Sequence, residues 1–142
     1  VYKHILAGTD FSDLGDKALL KAAELAVDLG ARLTLVHVVG QEDAQNAMYG
    51  AHEARQIVQK LEAAHEKARG ALAHKAKARP IEVACEVRVG VAAAQILALA
   101  AEKNADLVVV ASNGERGFTR WLLGTVADSV VRGVDRDVLV VG

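Results

Sequence analysis

The chain has 142 residues, 52% of them apolar and 25% charged, which is enough apolar material for one domain around one core. Lys and Arg number 17 against 18 Asp and Glu, and a net charge of −1 excludes a broad electrostatic attraction for nucleic acid or for an anionic membrane. No apolar run is long enough to span a bilayer, no basic-then-apolar signal segment opens the chain, and the single cysteine, Cys85, has no partner for an internal disulfide, so a reduced, cytoplasmic setting is expected.

With one proline and no low-complexity linker, a single domain over residues 1–142 is expected. A first strand, Tyr2–Gly8, leads through Thr9-Asp10-Phe11-Ser12 into a helix. That helix carries Ala18, Ala22, Leu25, Ala26 and Leu29 on one stripe and closes on Gly30. The second strand, Arg32–Val39, is nearly all apolar from Leu33 onward, as a strand covered on both faces must be, and His37 within it reads as a core histidine with a satisfied hydrogen bond. A long helix, Ala51–Ala78, follows, with Ile57, Leu61, Ala64, Ala68 and Leu72 at helical spacing. His52, His65 and His74 read as solvated residues of its outer faces, without metal-ligand spacing to one another or to Cys85.

The third strand, Ile81–Val89, alternates Ile81, Val83, Cys85, Val87 and Val89 with Glu82, Ala84, Glu86 and Arg88, the pattern of a half-exposed edge strand. A helix over Ala92–Lys103 buries Ile96, Leu97 and Ala100. The fourth strand, Ala105–Ser112, is continuously apolar from Leu107 to Val110; a helix from Thr125 to Arg132 and a fifth strand, Asp137–Val141, complete the order. Strands alternating with helices in this way predict an α/β fold: one doubly wound, mostly parallel five-stranded open sheet with helices on both faces.

In such a sheet, ligands bind beyond the carboxyl ends of the strands, where strand order reverses. Two loops then matter. After the first strand, Asp10 stands at a strand end, Ser12 suits a helix N-cap, and Asp13 and Asp16 in the first turn would repel a phosphate, so this loop suits the base or ribose end of a ligand. The same residues would equally serve only to cap the helix.

After the fourth strand, Gly114 and Gly117 leave backbone amides unobstructed, and nine residues separate Gly114 from Gly124. Thr125-Val126-Ala127-Asp128 fits a capping box, and Arg116 and Arg120 add positive charge. Amides at a helix N-terminus approached through glycine form an anion site, although an ordinary glycine turn before a capped helix has the same spelling. No G-x-x-x-x-G-K-[ST] and no G-x-G-x-x-G after the first strand are present, and no Ser/His/Asp or Cys/His set assembles, so no catalytic residues are assigned.

Tyr2-Lys3-His4-Ile5-Leu6 into Thr9-Asp10-Phe11-Ser12, then Leu35-Val36-His37-Val38, resembles the N-terminal half of universal stress proteins. Asp106 to Val110 through Gly124-Thr125-Val126-Ala127 to Val138-Leu139-Val140-Val141 resembles their C-terminal half. The resemblance implies a stress-response regulatory module that binds ATP, with Mg²⁺ on its phosphates. Its phosphate loop reads G-x-x-G, nine residues, then G-[ST]; Gly114, Gly124 and Thr125 match, and Ala111 replaces the first glycine. Carried over by position, Thr9 and Asp10 face ribose and adenine, Val38 meets adenine with its backbone, Val110 borders the base, and Gly114, Gly124 and Thr125 hold the phosphates.

The family also implies a homodimer through Val138–Val141, an apolar strand at a sheet edge that invites pairing. Two alternatives stand beside nucleotide binding: a dimeric interaction protein of the same fold without nucleotide, and a slow ATPase or phosphorylated stress protein.

Overall fold

The computed structural model describes residues 1–73, 80–112 and 125–142. In chain order these form β1 (His4–Gly8), α1 (Asp13–Leu29), β2 (Arg32–Val39), α2 (Gln41–Asn46), α3 (Ala51–Ala71), β3 (Val83–Val89), α4 (Ala92–Glu102), β4 (Leu107–Ala111), α5 (Thr125–Gly133) and β5 (Asp137–Val141). The strands make one sheet in the order β3-β2-β1-β4-β5, with every neighbouring pair parallel. The expected doubly wound α/β fold is therefore present, wholly parallel among the described strands rather than mostly so.

Side chains alternate across each strand and divide the core into two layers. On one face Ile5, Ala7, Leu33, Leu35, Leu107 and Val109 pack with residues of α1 and α3 such as Leu19, Ala22 and Leu61. On the other, Leu6, Val36, Val108 and Val110 meet Ile96 and Leu99 of α4 and Ala127 and Val130 of α5. Both faces of β1 and β4 are covered, all five residues of β1 being buried, and β4 accordingly reads as an unbroken apolar run. β3 takes the edge its alternation predicts, and there Arg88 pairs with Glu86 at 3.3 Å and with Glu102 at 2.8 Å.

Polar side chains stitch the amino ends of the strands. The Asp106 carboxylate accepts from the amides of Lys3 at 2.9 Å and His4 at 3.0 Å. Burial works to raise that carboxyl, but these amides outweigh it and hold it below its usual value. His4, buried, bridges the Lys103 carbonyl at 3.0 Å through Nδ1 and the Thr34 hydroxyl at 2.7 Å through Nε2. Arg136 donates to the carbonyls of Ala100 at 2.9 Å and Ala105 at 2.7 Å, closing the carboxyl end of α4. This end of the sheet is committed to holding the fold together.

Several expectations need correction. His65 is buried, because Leu61, His65, Ala68 and Leu72 fall on one stripe of α3 and its continuation, and the histidine shares the face of its apolar neighbours. His37 is half-buried rather than a core residue, though its hydrogen bond is satisfied. Leu29, the last residue of α1, is 38% exposed, since it stands past the packed turns where Gly30, at φ 66, turns the chain. Leu25 and Leu97 are half-buried. β1, β3 and β4 each begin two residues later than expected, and β4 ends at Ala111. The long helix ends at Ala71, with Leu72 as its C-cap, short of the expected Ala78, while His74 and Ala78 themselves lie outside the described residues. The short α2 was not predicted, because it buries no residue and so leaves no periodic signal.

Candidate functional site

From β1 the chain steps outward through β2 to β3, then crosses back to place β4 on the other side of β1. Strand order therefore reverses between β1 and β4, the point at which open parallel sheets place a ligand crevice beyond the carboxyl ends of their strands. Because β1 lies between β2 and β4, Thr9 and Asp10 are flanked by Val38 on one side and by Val110 and Ala111 on the other. At the end of β1, Gly8 leaves room for α4: a β-carbon there would stand 2.9 Å from Ile96 Cδ1 and 4.0 Å from Val110 Cγ1. Sequence reasoning missed Gly8, whose need for a small side chain arises from α4, almost ninety residues away in the chain.

The loop after β1 is tightly ordered. Thr9 donates its amide to the Val36 carbonyl at 3.0 Å, and its own carbonyl accepts from His37 Nδ1 at 2.8 Å, so Nδ1 carries the proton. One oxygen of Asp10, Oδ1, accepts from the amide and the hydroxyl of Ser12. Ser12 Oγ in turn accepts from the Gly15 amide at 3.0 Å, capping α1 as expected. Thr9 Oγ1, Asp10 Oδ1 and Ser12 Oγ all crowd the position that a β-carbon of Gly15 would fill, at 2.8, 2.7 and 3.2 Å. Gly15 thus admits three oxygens of the preceding loop to one turn, a requirement that shows only in the folded loop.

Phe11 closes the loop at φ 64, a left-handed backbone uncommon for a bulky residue. Its ring lies 4.7 Å from the His37 ring, centroid to centroid, and 4.4 Å from the Lys60 ammonium of α3.

Of the second loop, Gly114, Arg116, Gly117, Arg120 and Gly124 lie outside the described residues. Thr125 is the first residue of α5, and Asp128 accepts from Arg132 Nε at 2.9 Å, one turn onward; the expected capping box turns on the Thr125 side chain, which lies outside what the structure describes. Ala111 continues β4 in register with Val141, and the amide of Ser112 donates to the Val141 carbonyl at 2.7 Å. Among the described non-glycine residues only Phe11, Met48 and Asn104 have positive φ, so Ala111 holds a backbone open to any residue. Ala111→Gly is therefore expected to lower stability by about 0.5–1 kcal/mol through added freedom of the unfolded chain. Urea melts check this; a stability gain would show that Ala111 strains the backbone.

Cys85 stands apart on β3, half-buried against the α1–α3 layer. Burial, with a smaller contribution from Glu62, pushes its thiol up to about 11, so it is no nucleophile at neutral pH. Among the described residues no three His, Cys, Asp or Glu gather to hold a metal, and no helix is long and apolar enough to cross a membrane.

The model of the universal stress protein family matches residues 1–142. Universal stress protein A homolog 1 of Coxiella burnetii is 33% identical, the match covering 99% of this chain and 96% of that protein. A universal stress protein of Mycobacterium tuberculosis is also 33% identical, again over 99% and 96% of the two chains. Among solved structures, a universal stress protein in complex with cAMP superposes with a TM-score of 0.73 at 27% identity, over 99% of this chain and 97% of that one.

Proposed function

The chain belongs to the universal stress protein family, and we propose that it is a stress-response regulatory module that binds ATP, with Mg²⁺ on the phosphates, in the crevice between the carboxyl ends of β1 and β4. The observation that carries this reading is the Asp10 turn. One carboxylate oxygen is fixed by Ser12 at the switch point itself, so the carboxylate is aimed before any ligand arrives.

Asp10 accepts from the ribose, Thr9 and the backbone of Val38 meet the base, and Val110 borders it. Asp13 and Asp16, in the first turn of α1, repel phosphate and turn that end of the nucleotide toward β4 and α5. There Gly114, Gly124 and Thr125 supply backbone amides and a hydroxyl, and bound Mg²⁺ neutralises phosphate charge. The relative solved with cAMP supports an adenine nucleotide as the ligand class. The module also pairs with a second copy along β5, whose outer edge no described strand covers.

Extraction of protein purified under native conditions, with the nucleotide identified by chromatography, tests this reading. Adenine nucleotide near one equivalent per chain is expected. Protein that carries none, and gains no thermal stability from Mg-ATP, would be a family member acting without nucleotide.

A further inference from the structure

We infer that Phe11 is a positioning residue for the Asp10 carboxylate, locked from two sides by His37 of β2 and Lys60 of α3; its role toward ligand rests on the nucleotide-binding reading above. Phe11 follows Asp10 directly, so its backbone angle decides where Ser12 returns to meet that carboxylate. The left-handed angle, φ 64, is one that a phenylalanine does not keep without restraint.

Beside the packing of the Phe11 side chain against the α1–α3 core layer, three specific contacts restrain it. The Phe11 amide donates to Thr9 Oγ1 at 3.1 Å. Its ring meets the His37 ring at 4.7 Å, and His37 is itself tied to the Thr9 carbonyl at 2.8 Å. The Lys60 ammonium covers the ring at 4.4 Å from its centroid, a cation–π contact from a third element. With both neighbours in place the ring serves as a brace, and the loop is ordered before ligand binding rather than by it. A loop that must be ordered at the moment of binding binds more weakly.

The test measures the lock and its consequence separately, in Phe11→Gly, Lys60→Met and Phe11→Tyr. Glycine accepts the left-handed angle without strain, which offsets part of the lost packing, while Lys60 is exposed and its loss leaves the fold alone. In the free protein, amide exchange at Ser12 reports whether its N–H still rests on Asp10. Protection at Ser12 is expected to fall in Phe11→Gly, to fall less in Lys60→Met, and to survive in Phe11→Tyr. Affinity for Mg-ATP is expected to drop about tenfold in Phe11→Gly and roughly two- to fivefold in Lys60→Met, with Phe11→Tyr close to wild type.

Unchanged Ser12 protection in Phe11→Gly would overturn the lock. Lost protection with unchanged affinity would overturn its role toward ligand. A wild type that binds no Mg-ATP would overturn the nucleotide reading instead, and the exchange measurement would still decide the lock.

Discussion

Leu139→Asp is expected to abolish pairing of the protein with itself and to cost about 3 kcal/mol or more of stability. Leu139 sits in the middle of β5, opposite Val109 of β4, and packs against the α1–α3 layer of the core. A carboxylate there must either be desolvated or pull the strand away from β4. The outer edge of β5, an apolar strand that no described strand covers on that side, suits pairing with a second copy about a two-fold axis. Light scattering of the wild type is expected to give about 30 kDa, twice the 15.0 kDa of one chain. The variant is expected to scatter as a monomer or to unfold. A wild type that remains a monomer across micromolar concentrations, or a variant that still pairs, would remove β5 from the interface.

His65→Leu is expected to stabilise the protein by about 1–3 kcal/mol near pH 7, and by more in acid. His65 is 9% exposed, and its Nδ1 finds no hydrogen-bond partner among the described residues. Leucine, of similar bulk, continues the stripe of Leu61 and Leu72 with no polar atom to desolvate. Burial lowers the imidazole pKa below 6.5, and the opposing pull of Glu66 does not offset it. The folded state thus holds His65 neutral at pH values where the unfolded chain already takes up a proton. Stability from this position is complete above the unfolded pKa and declines as pH falls through 6.5 toward the lower folded value. Urea midpoints of the two proteins are expected to separate further between about pH 7.5 and 5.5. A constant separation would mean that His65 titrates alike in both states.

What the sequence disclosed follows from where its signals are local. β1 and β4 were legible because burial on both faces leaves no polar residue in Ile5–Ala7 or Leu107–Val110. β3 was legible because an edge strand alternates, and the cap at Ser12 and the turn at Gly30 because their hydrogen bonds lie within four residues. His65 was misread because a histidine on an apolar stripe has the spelling of a solvated one. α2 buries nothing and therefore has no pattern to read. At the β1–β4 switch point, Asp10 could be proposed from an acid at a strand end, and Thr9 only through the family resemblance. Gly8 and the stack of Phe11 with His37 and Lys60 could not, because each depends on contacts between elements distant in the chain, and Gly15 could not because its need arises only once the loop has folded back on α1. Phe11 is the sharpest case: nothing in a phenylalanine announces a left-handed backbone.

The central claim, a nucleotide held at the β1–β4 switch point through Asp10, is tested most directly by calorimetric titration of Mg-ATP into wild type and Asp10→Ala side by side. Wild type is expected to saturate with one nucleotide per chain. Asp10→Ala is expected to bind more weakly by about 1–3 kcal/mol, the loss of a hydrogen bond to a charged group, while urea melts show a smaller stability loss because Ser12 still caps α1. Equal affinity in the two proteins, or no binding heat from the wild type, would contradict the claim and leave Asp10 as no more than the brace of a helix cap.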